Sequence, residues 1–367
     1  MPYESKHVAK NESLFSRFWR IASAFWRGSS ARLSWTLAAL LIIVVLLQLL
    51  VQYRLNLWNR NFFDALGTKD GPVLWAQAQL FVLLLAASIG LGLVSVWGRM
   101  TAQRTWRESV TRNLIEHWLK NGRYKRLKQI AGEHQQADAR IAQDAKVATD
   151  APIDLALGLL NSVLGAIVFV GVLWSVGGDL SINVSDRVLI VPGYLVIAVI
   201  LYSALITIAM MLIGRHLTHV IQDLDQAEAT FRSAAGCLCD VADHGAQSDS
   251  EEVAMRNALS HGLDQVLARW RDFLWQLLGT TFVSEGNSLL APVVGWILCI
   301  PKYLAGTMSL GELTQAAAAF VIVQAAFNWL VNNYQRVADW ISSVNRVGAL
   351  LTALDELDQD ERLEHAT

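Results

Sequence analysis

Charge is what this sequence has too little of. Only 17% of its 367 residues are charged, against about 25% in a soluble domain, which excludes a large hydrated surface. With 53% hydrophobic residues and a mean hydropathy of +0.34, the composition points to lipid instead. The net charge of −2 leaves no surplus of positive charge for nucleic acid. Cysteine is scarce as well. Cys237, Cys239 and Cys299 are too few for a disulfide framework or an all-cysteine zinc site. Cys237 and Cys239 lack the two-residue spacer of redox and metal motifs, so all three read as small packing residues. His117, His134 and His261 are scattered, with no partner set resembling a metal site. No Ser/His/Asp or Cys/His nucleophile arrangement can be argued, and no G-x-x-x-x-G-K-[ST] phosphate cradle occurs. ATP hydrolysis by these residues is not expected, nor is a bound cofactor. The first 32 residues are basic and interrupted by charge, unlike a cleavable signal peptide.

What is present is a series of long apolar runs. A membrane helix needs about 20 mostly apolar residues to cross roughly 30 Å of hydrocarbon. Six stretches qualify, at about 35–51, 74–97, 153–176, 188–213, 282–300 and 316–340. The fifth is weakened by Glu285, Asn287 and Pro292, and the sixth turns polar toward its end. Tryptophans at 35, 75, 97, 174 and 340 mark run boundaries, as interfacial aromatics do. Of the 30 Lys and Arg, 25 lie before the first span, between spans two and three, between four and five, or from Arg336 onward. That asymmetry places both termini and the two long loops in the cytoplasm. The expected layout is a cytoplasmic segment 1–32, a transmembrane domain 33–347 and a cytoplasmic tail 348–367.

The long loops, 98–152 and 214–281, read as helices continuing out of the membrane. Trp106, Val110, Leu114 and Leu119 recur near helical spacing among charges, and so do Leu259, Leu263, Val266 and Trp270. The stretch "RYKRLK", Arg123 to Lys128, has two readings: contact with anionic headgroups, or a solvated surface that enforces topology.

Polar side chains in a membrane helix are costly and face a protein interior or a wet cavity. At 100° per residue, Gln324, Asn328, Asn332, Gln335 and Asp339 fall within one stripe of about 80°, with Phe327, Leu330 and Val337 on other faces. One reading lines a cavity with amides that bind many polar solutes. The other has these side chains hydrogen-bond neighbouring helices, at about 0.6 kcal/mol each. Glu285 is a candidate for proton coupling, because a carboxylate at that depth should have a raised pKa. Its alternative is an ion pair with Arg269 or Arg271. In "WNRNFFDAL", Arg60 and Asp64 at i, i+4 can pair on one helix face, while Trp58, Phe62 and Phe63 anchor the outer interface. The pair is expected to orient the outer end of the first span, with direct contact to a solute as the alternative.

Four segments, in register, carry a family resemblance: "WNRNFFDAL", "ARIAQDAKVATD" (Ala139 to Asp150), "PKYLAGTMSLGELTQ" (Pro301 to Gln315) and "NNYQRVADWISSVNRV" (Asn332 to Val347). Together they resemble the SbmA/BacA-like transporters, and more closely the membrane half of their ATPase-fused relatives. The latter are bacterial transporters for cobalamin, bleomycin and antimicrobial peptides, with the peroxisomal fatty-acyl transporters as distant cousins. The resemblance implies an all-α, six-span ABC exporter-like (type IV) transmembrane domain with long cytoplasmic helical extensions. It implies a homodimer in the bacterial inner membrane that moves peptides, cobalamin-like or other bulky solutes by alternating access. ATP would then act only through a partner nucleotide-binding subunit or a fused ATPase, touched by segments within Ala139 to Ala148 and Ser233 to Ser250. The second of these is unusually polar and small, which departs from the family pattern. The chain ends about where a fused ATPase would begin. Two alternatives remain open: a proton-driven SbmA/BacA-like peptide importer, and a non-transporting membrane scaffold.

Overall fold

The computed structural model describes residues 18–19, 22–23, 26, 31–127, 137–184, 187–244 and 249–366. His134 and Lys128 lie outside them. The described chain runs α1 (Ala31–Thr68), α2 (Gly71–Leu119), a 3-10 turn (Lys120–Gly122), α3 (Arg123–Leu127), α4 (Ala137–Ala139) with a following π turn (Arg140–Asp144), α5 (Ala145–Gly177), β1 (Asp179–Val184), β2 (Arg187–Pro192), α6 (Tyr194–Gly214), α7 (Leu217–His244), α8 (Asp249–Leu304) and α9 (Leu310–Ala366).

Six helical stretches are long and apolar enough to cross a membrane: Ala31–Thr68, Gly71–Leu127, Ala137–Gly177, Tyr194–Gly236, Arg256–Leu304 and Leu310–Asp358. A helix is the form such a segment must take, because lipid leaves every backbone N–H and C=O to be satisfied within the segment. The helices outrun the apolar runs. The 56 residues of α8 reach about 84 Å at 1.5 Å per residue, nearly three times the roughly 30 Å of hydrocarbon, so much of α8 projects beyond the membrane. Pro292 sits inside α8 without ending it. Between α1 and α2 the chain reverses at Lys69, with φ of 58°, and Asp70, whose carboxylate accepts from Val73 N at 3.2 Å and caps α2.

The chain divides into two compact units. The first comprises Met1–Gly171, Ser309–Gln315 and Ala325–Thr367. Its main apolar core lies outside the apolar runs, where Trp106, Val110 and Leu114 of α2, Leu127 of α3, Ile141, Ala145 and Ala148 meet Val344, Val347, Leu350 and Leu354 of α9. Trp340, read above as an interfacial residue, packs against this core with its ring 5.3 Å from that of Phe18. Arg123, in the stretch read as a lipid or solvent surface, is fully buried and pairs with Asp358, which Lys120 also reaches at 3.4 Å. Hydrogen bonds from Arg123 outweigh desolvation and hold the Asp358 carboxyl down at about 2.

The second unit comprises Val172–Met308 and Ala316–Gln324. It contains the one departure from an all-helical chain among the described residues: β1 and β2 pair antiparallel from Asp179↔Pro192 to Val184↔Arg187. Val188 to Pro192, expected above to begin the fourth span, is therefore strand. A short run of aliphatic residues is compatible with either form. Here Pro192 and Gly193 decide it. Gly193 adopts φ of 59°, and a Cβ there would lie 2.5 Å from the Trp174 ring, so the chain bends before α6 can begin at Tyr194.

Leu350 is 1% exposed in the first core, whereas Leu201 on α6 is 65% exposed. We expect Leu350→Ala to cost about 2–5 kcal/mol and to lower the thermal midpoint in detergent micelles, followed by circular dichroism. Leu201→Ala should leave it unchanged.

Candidate functional site

The first turn of α9 is fastened to the C-terminal half of α1, within the first unit. Four backbone N–H groups at a helix start lack helical partners. Ser309 and Glu312 answer two of them reciprocally. Glu312 N donates to Ser309 Oγ at 3.1 Å, and Ser309 N donates to Glu312 Oε2 at 2.9 Å, a capping box. The other carboxylate oxygen of Glu312 accepts from Arg60 Nη2 at 2.8 Å. Asp64 Oδ1 accepts from Gly311 N at 2.8 Å, placing a second carboxylate at the positive end of the helix. Buried Asn56 donates from Nδ2 to Gln315 O at 3.1 Å.

Arg60 and Asp64 do form an i, i+4 pair, at 3.8 Å, but the closer partners of both are on α9. Beyond the pairing expected from the sequence, they join α1 to α9. The contact requires Gly311, because a Cβ there would lie 2.1 Å from Arg60 O. Beside it Trp58 stacks on Phe62 at 5.1 Å and donates from Nε1 to Gln77 O at 2.8 Å.

The polar stripe of α9 divides. In the second unit Gln324, 3% exposed, donates from Nε2 to Asn287 Oδ1 at 3.0 Å, and Tyr202 OH donates to the same oxygen at 3.1 Å. One asparagine thereby ties α6, α8 and α9 together. Asn328 is also buried, at 7% exposure, in the first unit. Further along, Asn332, Gln335 and Asp339 are exposed. Glu285 is exposed and lies about 200° around α8 from Asn287, away from that seam. It pairs with neither Arg269 nor Arg271 among the described residues, and Arg269 instead meets Asp223 and Asp272 at 3.6 Å each.

The C-terminal part of α9 carries a second fastening, again within the first unit. Arg346 reaches Asp144 with two bonds, Nη2 to Oδ1 at 2.6 Å and Nε to Oδ2 at 3.0 Å. Arg140 Nη1 donates to Asp144 Oδ2 at 2.9 Å. Burial pushes the Asp144 carboxyl up, but the hydrogen bonds and charges of Arg346 and Arg140 more than offset it and leave it below the ordinary 3.8. Asp144 ends the π turn, a geometry that often marks functional sites. Within Ala139 to Ala148, Ala142, Gln143 and Lys146 remain exposed while Ile141, Asp144, Ala145 and Ala148 are buried. Ser233 to Ser250 is helical as far as His244, and 245–248 lie outside the described residues.

Sequence reasoning missed Gly311, Glu312, Asn287, Tyr202, Asp144 and Arg346. For Glu312 a signal existed, since "SLGE" has capping-box spacing. For Asn287 the signal was a polar side chain inside an apolar run, and Asp144 and Arg346 fall in two of the four resemblance segments, but nothing local named their partners or marked Tyr202, because those partners are remote in sequence. Among the described residues, no group of three or more His, Cys, Asp or Glu could hold a metal ion.

Residues 27–304 match the family model described as ABC transporter transmembrane region 2, and the chain belongs to that family. It is 24% identical over 342 residues to the inner membrane ABC transporter ATP-binding protein YddA of Escherichia coli strain K12, covering 91% of this chain and 60% of that protein. It is 24% identical over 358 residues to an uncharacterized ABC transporter ATP-binding protein of Haemophilus influenzae, covering 95% of this chain and 59% of the other. It is 21% identical over 351 residues to ABC transporter D family member 2, chloroplastic, of Arabidopsis thaliana, covering 94% of this chain and 46% of that protein. The chain thus spans between about half and three fifths of the length of these curated relatives.

Two outcomes test the fastenings. Gly311→Ala should force α1 and the start of α9 apart and lower the thermal midpoint more than Glu312→Gln, which removes one charge and keeps the fit. Because folded Asp144 titrates below its unfolded value of 3.8, its contribution is whole above that pH. It is lost as pH falls through the lowered folded value. Arg346→Met should therefore lower the midpoint at about pH 6 and shrink its further drop toward about pH 3.

Proposed function

We propose that this ABC transporter transmembrane region is the permease of an alternating-access transporter. Two copies enclose a polar chamber through which a peptide or similarly bulky hydrophilic solute passes. The observation that carries this reading is the exposed polar arc of Asn332, Gln335 and Asp339 on α9, set apart from the exposed apolar face of Phe327, Leu330 and Tyr334 and from the buried Val323, Gln324 and Asn328. A polar face beside an apolar run is stable only against water or a protein partner, and amides and a carboxylate there offer donors and acceptors to a solute. The relatives' names as ATP-binding proteins support ATP as the energy source, supplied by a nucleotide-binding region outside these residues or by a separate subunit. The membrane is the bacterial inner membrane, with both termini cytoplasmic, as the distribution of Lys and Arg supports.

The second copy is supported by α8. Leu263, Leu267, Trp270, Leu274 and Leu277 recur at alternating spacings of four and three and are 45–57% exposed. That is the seam of a coiled-coil-like contact, beyond the fifth apolar run, where water rather than lipid would meet it.

Uptake into proteoliposomes, with a partner ATPase and with or without ATP or a pH gradient, tests the energy source. ATP-dependent uptake is expected, and uptake driven by the pH gradient alone would favour the SbmA/BacA-like alternative. Asn332→Ala with Gln335→Ala should cut uptake about tenfold, equivalent to roughly 1.4 kcal/mol of lost solute or pathway stabilisation. Cysteines at 332 and 335 should react with water-soluble reagents in at least one transport state. If they are sealed in every state, the chamber does not exist.

A further inference from the structure

We infer that the first unit holds one anionic phospholipid, with an acyl chain seated in an apolar groove and its phosphate beside a pair of arginines. The groove has a volume of about 820 Å³, within the roughly 300–1,000 Å³ of pockets that bury small molecules. Its walls are Ser34 to Ile42 of α1, Pro152 to Leu160 of α5 and Trp329 to Trp340 of α9, closed by Trp26 and Trp106. Apart from the tryptophan N–H groups, Ser34 is the only polar side chain lining it among the described residues. A dry apolar slot of this kind suits a hydrocarbon chain and no polar solute.

Length and position identify the hydrocarbon. Nine residues of α1 or α5 and twelve of α9 span eight and eleven rises, about 12–17 Å at 1.5 Å each. That is one leaflet of a hydrocarbon core roughly 30 Å thick. The three walls are the ends of the first, third and sixth apolar runs nearest the Lys- and Arg-rich loops. Tryptophans cluster at the depth where interfacial indoles sit.

Charge at the edge completes the site. Asp154, between the lining residues Ile153 and Leu155, is met by Arg336 Nη2 at 2.8 Å, Arg99 Nε at 3.5 Å and Gln103 Nε2 at 3.0 Å. Arg336 directly precedes the lining residue Val337, and Arg99 lies one turn from Ala102. Two guanidinium groups meet the Asp154 carboxylate, and Asp150 one turn away is itself faced by Arg107 and Lys146, so the edge carries four cationic groups against two carboxylates; Arg99 and Arg336 are partly exposed. A lipid phosphate supplies the missing anion.

The test is native mass spectrometry of the delipidated full chain, re-equilibrated with phosphatidylglycerol and phosphatidylcholine of the same acyl length. One phosphatidylglycerol should be retained per chain. Ala156→Trp, which fills the groove from α5, should weaken retention about tenfold, and Leu201→Trp on a different helix should not. Arg99→Gln with Arg336→Gln should bring the two lipids close to parity. If Ala156→Trp does not fold, Ala38→Phe on the opposite wall and the arginine pair carry the same test. Equal retention of both lipids by the unaltered chain would overturn the proposal. So would retention untouched by the groove variants, or a loss of dimer without loss of lipid, which would assign the groove to a second copy. The readout is independent of transport, so its failure and that of the proposed function are distinguishable.

Discussion

Lipid offers a helix no hydrophobic reason to leave it for another helix, and that constraint shapes this protein. Within the apolar runs, association rests on close backbone approach and on a few polar groups that have nowhere better to go. The helix α9 collects them. Within the runs Asn287 meets Gln324, while at their edges and beyond Arg60, Asp64 and Asn56 reach its first turns and Asp144 receives Arg346 near its other end. Each of these contacts joins residues more than thirty positions apart in sequence, so each fixes tertiary structure, whereas the backbone bonds fix only the helices.

Beyond the apolar runs the balance reverses. There water is the solvent, burial drives association, and the core around Leu350, Val347, Ile141 and Trp106 is packed as in a soluble bundle. The same helices thus use two kinds of cohesion along their length. In the water-exposed part, apolar residues left uncovered carry information, as the α8 stripe does. In the membrane part uncovered apolar residues are expected, and an uncovered polar arc such as Asn332, Gln335 and Asp339 carries it instead.

The ends of α9 also show how one residue serves two ends. Glu312 caps its own helix with one oxygen and holds Arg60 with the other. Asp144 closes a π turn locally and receives Arg346 from a helix some 200 residues later. Substituting either therefore disturbs a local element and a long-range contact together. Effects at such positions should not add simply with those at their partners.

Six crossing helices, their extension past the membrane and the membership suggested by four segments were legible in the sequence, because hydrophobic period and run length are local properties. So was the polar stripe, since helical geometry alone places Gln324 through Asp339 on one face. Which of those side chains stay exposed was not legible: Gln324 is consumed by Asn287 while Asn332 is not, and only the neighbouring helices determine that. The tertiary structure likewise moved Val188 to Pro192 from helix to strand, turned Arg60 and Asp64 toward α9 and buried Arg123. Those outcomes depend on partners brought together by packing, and no period within one segment encodes where a distant segment will lie.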